Sequence, residues 1–162
     1  MQLSHTFEPV YDHKSEILIL GTFPSVKSRE SAFYYGHPQN RFWKLLAVLK
    51  NEEVPGTIEE KKAFLLRNKI AIWDVIYSCD IEGSSDSSIK NVIPNDIAKV
   101  IKESSIKRVY ANGDKACKLY RKFCETNVGI EIIGLPSTSP ANAAFSMDKL
   151  KESWKEALDG IT

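Results

Sequence analysis

The run Glu16-Ile-Leu-Ile-Leu-Gly21 (EILILG) decides the fold. Its unbroken aliphatic stretch leaves no polar side for solvent, so it reads as a strand buried on both faces, as in a parallel sheet. Three further short runs repeat the signal: Lys69–Trp73 (KIAIW), Lys107–Ala111 (KRVYA) and Gly129–Gly134 (GIEIIG). Helical patterns separate them. From Pro38 to Lys50, Phe42, Leu45, Leu46 and Leu49 recur at helical spacing, with Pro38 suited to a first turn. Thr57 is placed to cap a helix that starts with Glu59 and Glu60 and carries Ala63, Leu65 and Leu66. Asn95 or Asp96 opens a helix through Ile101, Asp114 another through Phe123, and Ser146 precedes a last one holding Leu150, Trp154 and Leu158. Strands alternating with helices predict one α/β domain over residues 1–162. The expected architecture is a three-layer α/β/α sandwich around a central, mostly parallel, four-stranded sheet.

The 162 residues suit one domain with a sizeable core, and 43% hydrophobic against 27% charged residues is an ordinary globular balance. A net charge of +1 excludes a generic polybasic protein. Charge is nevertheless uneven: between Ala98 and Glu125 eight Lys/Arg face three acids, a local +5 against −4 elsewhere. Such a run is either a solvated surface or a phosphate-facing patch. Cys79, Cys117 and Cys124 form no C-x-x-C pair, so neither a disulfide framework nor a zinc ribbon is supported. Cys117 and Cys124 fall on one helical face and suit burial as small apolar residues. His5, His13 and His37 lack metal-ligand spacing, and no metal or other cofactor is expected. Apolar stretches such as Ile17–Leu20 are far too short for a membrane span, and without a basic-then-apolar opening no leader is expected. These features predict a soluble protein of a reducing compartment with no membrane partner.

Two segments do not read as scaffold. One follows the first strand, from Gly21-Thr-Phe-Pro-Ser25 through Phe33-Tyr-Tyr-Gly36 to His37-Pro-Gln-Asn-Arg-Phe-Trp43. The other follows the last strand, Gly134-Leu-Pro-Ser-Thr-Ser-Pro-Ala-Asn-Ala143. Both fall where a parallel sheet presents its ligand crevice. The adjacent aromatics Phe33, Tyr34 and Tyr35 suit stacking on a planar ligand, or else a small satellite core. The Ser- and Pro-rich segment is stiff and carries small donors, so it can approach a phosphate chain closely, or it is a plain strand-to-helix loop. The polar stretch Ile81–Ser88 is either a connector or a functional loop downstream of the second strand.

On these residues the chain resembles the uracil-DNA glycosylase superfamily, and most closely its hypoxanthine-DNA glycosylase branch. His37-Pro-Gln-Asn-Arg-Phe-Trp43 is similar to the H-P-x-N-R-F-W run of mismatch-specific uracil-DNA glycosylases, with similar spacing from Gly21. Ile72-Trp-Asp-Val75, Ser84-Ser-Asp-Ser-Ser88 and Leu135-Pro-Ser-Thr-Ser-Pro-Ala-Asn142 resemble the hypoxanthine branch in particular. The resemblance implies a uracil-DNA glycosylase-like fold in a monomeric cytoplasmic protein, nucleoid-associated if prokaryotic. The implied partner is DNA containing a deaminated base, and the implied activity is excision of hypoxanthine by base flipping and N-glycosidic hydrolysis, as in base excision repair.

One departure selects the branch. Where the wider superfamily carries an Asp or Asn that directs the attacking water, this chain has Phe23, which can neither accept nor donate a hydrogen bond. In the hypoxanthine branch the catalytic amide lies in the H-P-x-N-R-F-W run, which makes Asn40 the implied catalytic residue, able to orient water through its carbonyl oxygen. A helix-capping role for Asn40 is compatible with that. The resemblance further implies Tyr35 as the stacking residue, Phe23 as a pocket wall and Asp74 as reader of the hydrogen on hypoxanthine N1. Asp74 could equally cap a helix or anchor a buried hydrogen bond. Ser25, Ser137, Ser139, His37 and Asn142 are the candidate DNA contacts, with loop support the other role open to His37. No lysine lies in either motif core, Lys27 being the nearest, so a Schiff-base lyase step lacks a nucleophile. Three cysteines cannot supply the four ligands of an iron–sulfur relative. The alternatives are a glycosylase for uracil or xanthine, and a non-catalytic flavodoxin-like binding module. Without a glycine-rich P-loop, nucleoside triphosphate hydrolysis is not expected.

Overall fold

A computed structural model of the chain describes residues 2–4, 7–23, 33–80 and 89–161. Ser25, Lys27 and the stretch 81–88, which includes the Ser84–Ser88 motif, lie outside the described residues. The strands are β1 (Gln2–Ser4), β2 (Ile17–Gly21), β3 (Ile70–Asp74), β4 (Ile76–Asp80), β5 (Lys90–Pro94), β6 (Arg108–Asn112) and β7 (Ile132–Leu135). The helices are α1 (Phe42–Leu49), α2 (Ile58–Arg67), α3 (Ile97–Lys102), α4 (Asp114–Phe123), α5 (Glu125–Val128) and α6 (Met147–Asp159). The four strands expected from sequence form one parallel sheet in the order β3-β2-β6-β7.

β2 is buried along its whole length. Alternation divides its side chains between two cores. Ile17 and Ile19 face Phe42, Leu45, Leu46, Phe64, Leu150 and Trp154, from α1, α2 and α6. Leu18 and Leu20 face Ile97, Val100, Ala116, Leu119 and Tyr120, from α3 and α4. Helices on both sheet faces give the three-layer sandwich. All three cysteines are buried in the second core, Cys117 and Cys124 as expected for small apolar side chains.

Helix starts follow local chemistry. Thr57 caps α2 with a capping box, its hydroxyl accepting from the Glu60 N–H while the Glu60 carboxylate accepts from the Thr57 N–H. Asp96 and Ser146 accept from the third helical N–H of α3 and α6. Two local expectations need correction, and one sheet is additional. Pro38 is not in the first turn of α1, because the helix begins at Phe42 and the residues before it form turns. Gly129 is not in a strand: at φ 80° it closes α5, a left-handed cap that glycine adopts without a Cβ clash, and β7 starts at Ile132. A second, antiparallel sheet of order β1-β4-β5 was not foreseen. Its strands mix polar residues with a proline and lack a continuous apolar run, so pairing rather than composition defines them.

The basic run between Ala98 and Glu125 is dispersed. Lys107 precedes β6 and Arg108 begins it, at the amino edge of the sheet, while Lys118, Arg121 and Lys122 lie exposed along α4. The solvated-surface explanation therefore fits better than a single phosphate-facing patch. Among the described residues no helix is long and apolar enough to cross a membrane, and no cluster of His, Cys, Asp or Glu could hold a metal.

Glu52 accepts from the Arg67 Nε and the Asn68 Nδ2, each at 2.9 Å, and so ties the α1–α2 connection to the end of α2. The Arg67 hydrogen bond, then that of Asn68, holds the Glu52 carboxyl below its ordinary range. A depressed folded-state value stabilises above the unfolded glutamate pKa, and that contribution is lost as pH falls through the folded value. Glu52→Gln should thus be slightly less stable than the parent at neutral pH, with the gap closing in acid. A gap that is constant with pH in urea melts would contradict this. Leu18→Ala, which empties a fully buried position in the central strand, should cost about 2–5 kcal/mol. The urea midpoint should fall while the slope is unchanged.

Candidate active site

Parallel strands deliver their carboxyl ends to one edge, and the candidate residues collect there. Gly21 ends β2, Asp74 ends β3 in register with it, Asn112 ends β6, and Leu135 ends β7. Phe23, Tyr35 and Asn40 follow β2, and Ser137, Thr138, Ser139 and Asn142 follow β7.

Asp74 and Tyr35 meet above Gly21. A Cβ on Gly21 would collide with Asp74 Oδ1 and come within 3.0 Å of the Tyr35 hydroxyl. The glycine is therefore what lets a carboxylate and a phenol cross the end of the central strand. Asp74 is only 4% exposed, and its backbone carbonyl accepts from the Asn95 side chain. Tyr35 stacks on Phe42 at 4.0 Å between ring centres and stays half-buried. Burial raises its phenol pKa well above the ordinary value, and the Asp74 charge adds to that. The Asn112 side chain opposes the shift, but the buried Tyr35 hydroxyl has no hydrogen-bond partner of good geometry among the described residues. Tyr35 thus remains a neutral donor. Its φ of 54° is a left-handed conformation, uncommon for a bulky side chain. Tyr34, whose hydroxyl donates to the Glu8 carbonyl, and Phe33 belong to the core, so of the three aromatics only Tyr35 reaches the edge.

Asn40 sits just before α1. Its Oδ1 accepts from the Phe42 N–H at 2.9 Å and from the Thr138 hydroxyl at 2.8 Å. The expected cap-like role is therefore present, one residue ahead of the formal N-cap Arg41. Thr138 is fully buried and joins three segments. Its hydroxyl also accepts from Asn112 Nδ2 at 3.0 Å, its N–H donates to Asn112 Oδ1 at 3.0 Å, and its carbonyl accepts from the Arg41 N–H at 3.1 Å.

Arg41 completes the tether. Its guanidinium donates to the carbonyls of Ser139 (2.9 Å), Asn142 (3.1 Å) and Phe145. Trp154 supports the same loop from below, donating to the Pro136 carbonyl at 2.9 Å. Within the loop, Ser137 Oγ accepts from the Ser139 N–H and Ser139 Oγ from the Ala141 N–H. Both hydroxyls keep a hydrogen to donate outward, toward a cavity of about 660 Å³ bounded by Gly113, Asp114, Ser137, Ser139, Asn142 and Phe145, among others. The Asn142 amide donates to the Ser137 carbonyl and so braces the loop. His37 supports its own turn, its Nδ1 accepting from the Gln39 N–H. Phe23 is half-buried and packs against the second core.

The structure thus brings Asn40, Tyr35, Asp74, Phe23 and the two serines to one edge. Three residues there were not singled out from sequence: Arg41, Asn112 and Thr138. A signal existed for Asn112, a polar residue that ends an apolar strand at the functional edge as Asp74 does. Nothing marked Thr138 among its neighbouring serines.

A parallel sheet with its polar groups at the carboxyl edge and two loops clamped together there defines an α/β protein with a ligand crevice at that edge. The sequence profile of the uracil DNA glycosylase superfamily matches residues 8–159, and the chain belongs to that superfamily. A hypoxanthine DNA glycosylase from Methanosarcina barkeri is 36% identical over 155 residues, covering 94% of this chain and 96% of the relative. One from Methanosarcina acetivorans is 39% identical over 155 residues, covering 94% and 95%. The solution NMR structure of a candidate uracil DNA glycosylase from Methanosarcina acetivorans superposes with a TM-score of 0.84 at 34% identity, over 99% of each chain.

Arg41→Lys tests the tether. A single ammonium cannot span three carbonyls as the guanidinium fork does. Losing charge-assisted hydrogen bonds should cost about 1.5–3 kcal/mol and speed amide exchange in residues 139–145. Unchanged melting and exchange would remove Arg41 from this role.

Proposed function

We propose that the chain is a monofunctional DNA glycosylase that removes hypoxanthine from deoxyinosine in DNA. The observation that carries the reading is the pairing of Phe23 with a fixed Asn40. The place where the wider superfamily directs water is apolar, while an amide is held at the same sheet edge by two protein donors. The names of the two Methanosarcina relatives, which match almost end to end, point to the same base.

The scissile bond lies inside a duplex, so the nucleotide must rotate out of the stack at a cost of a few kcal/mol, less for a mispaired base. Tyr35 supplies a ring beside which the base can lie, and its neutral hydroxyl adds no charge. Asp74 can accept the hydrogen that hypoxanthine carries on N1. Adenine presents a lone pair there, and two facing acceptors cost about 1–3 kcal/mol or more. Ser137 and Ser139 offer hydroxyl donors to the DNA backbone at the adjacent cavity. The bond between base nitrogen and C1′ then breaks with its electron pair leaving on the base. Water adds to the cation-like sugar, giving a base-free site and releasing one proton. Asn40 is a poor base, so the leaving purine carries much of the driving force, aided by donors aimed at its developing charge.

In single-turnover assays Asn40→Ala should lower excision from deoxyinosine duplexes at least about tenfold, roughly 1.4 kcal/mol, while DNA binding persists. Undiminished excision would remove Asn40 from the mechanism. Asp74→Asn should narrow the preference for hypoxanthine over adenine, and an unaltered ratio would reject its reading role. A panel of duplexes, each with one deoxyinosine, deoxyuridine or deoxyxanthosine, decides the base. Release of uracil alone would transfer the assignment to the activity suggested by the name of the NMR neighbour. Salt-sensitive binding with no base released from any duplex would leave only a binding module.

A further inference from the structure

The hydrogen bonds around Asn40 fix which end of its amide faces the substrate. Two backbone N–H groups, which can only donate, settle the amide orientations. The Phe42 N–H lies 2.9 Å from one Asn40 side-chain atom, which must be the carbonyl oxygen. The Thr138 N–H lies 3.0 Å from one Asn112 side-chain atom, which must likewise be the oxygen. Asn112 therefore turns its NH2 toward Thr138 Oγ1, which accepts it at 3.0 Å. The Thr138 hydroxyl has one hydrogen, and it points at Asn40 Oδ1, 2.8 Å away. The result is a directed chain from Asn112 NH2, through the Thr138 hydroxyl, to the Asn40 carbonyl. Thr138 is fully buried, so water cannot substitute for it.

Both lone pairs of Asn40 Oδ1 are thus engaged by protein donors. Asn40 Nδ2 has no protein partner among the described residues, and Asn40 is half-exposed at the sheet edge. Donors on an amide oxygen also polarise its nitrogen into a better donor. We propose that Thr138 is a positioning residue for the reaction. It locks Asn40 so that the amide NH2, rather than the carbonyl oxygen, meets the extruded nucleoside and donates to the charge that develops as the base departs. This rests on Asn40 being catalytic, and it revises the water-orienting role expected for its carbonyl. Bond changes are those of simple hydrolysis: the C1′–N bond breaks, its electron pair goes to the base, water bonds to C1′, and the proton it loses balances the base anion. The amide donates hydrogen bonds throughout and transfers no proton.

The test is single-turnover excision from a deoxyinosine duplex by Thr138→Val, Thr138→Ser, Asn40→Asp, Asn40→Ala and the Thr138→Val/Asn40→Ala pair. Valine keeps the shape and removes the hydroxyl. Its rate should fall about tenfold while half-saturating DNA stays within about twofold, and serine should restore most of the loss. The pair should be no slower than Asn40→Ala alone, because Thr138 acts through that amide. Asn40→Asp would keep both protein hydrogen bonds while offering a carboxylate and no NH2. It should fall at neutral pH nearly as far as Asn40→Ala. A carboxylate that orients water would instead equal or exceed the amide. Parent-like rates for Thr138→Val, no rescue by serine, multiplicative losses in the pair, or an active Asn40→Asp would each overturn the proposal. Should the valine variant fail to fold, the Asn40→Asp arm decides alone. Undiminished excision by Asn40→Ala would sink the catalytic reading itself. Loss in Asn40→Ala beside an active Asn40→Asp would sink only this inference.

Discussion

The loops that leave β2 and β7 meet across 98 residues of sequence between Asn40 and Thr138, yet the candidate chemistry needs both. Arg41 and Thr138 hold them together. Each bridges in both directions: Arg41 gives its backbone N–H to Thr138 and its guanidinium to carbonyls beyond it, while Thr138 returns its hydroxyl to Asn40. Polar groups this buried are costly unless satisfied. The same hydrogen bonds that stabilise the loops therefore also set their relative position.

The sheet makes that clamp possible. A fully apolar β2 requires helices on both faces, and helices on both faces require parallel crossovers. Parallel crossovers place Gly21, Asp74, Asn112 and Leu135 on one edge. The reversal of strand order beside β2 opens a crevice there, with Asp74 on one flank and Asn112 on the other. At that crevice Gly21 provides room for two polar side chains over the central strand, and Tyr35 accepts an unusual backbone conformation to reach it. Both depart from what stability alone would favour, as residues at a working site commonly do.

Loss of the customary acidic or amide group at Phe23 need not leave the edge inert. In the proposed mechanism the polar function falls to Asn40, where the start of α1 and the β7 loop supply its partners. An amide with its oxygen engaged is a donor, so this arrangement favours electrostatic help to a leaving purine over activation of water. Purines are large enough to delocalise the charge they take away, which suits a site without a strong base.

The parallel sheet, its flanking helices and the caps Thr57 and Ser146 are legible in the sequence, because continuous aliphatic runs, helical spacing and capping side chains act over a few positions. It also marked the two loops and, through resemblance, Asn40, Tyr35 and Asp74. Tertiary structure alone decided the rest. The antiparallel β1-β4-β5 sheet arises from pairing between distant segments of mixed polarity. The parts of Thr138, Asn112 and Arg41 depend on contacts across about a hundred residues in the cases of Thr138 and Arg41, or 26 for Asn112, and no local pattern encodes those. The orientation of the Asn40 amide is the sharpest case: asparagine carries a donor and an acceptor, and only the donors that fold brings to one side determine which of the two faces outward.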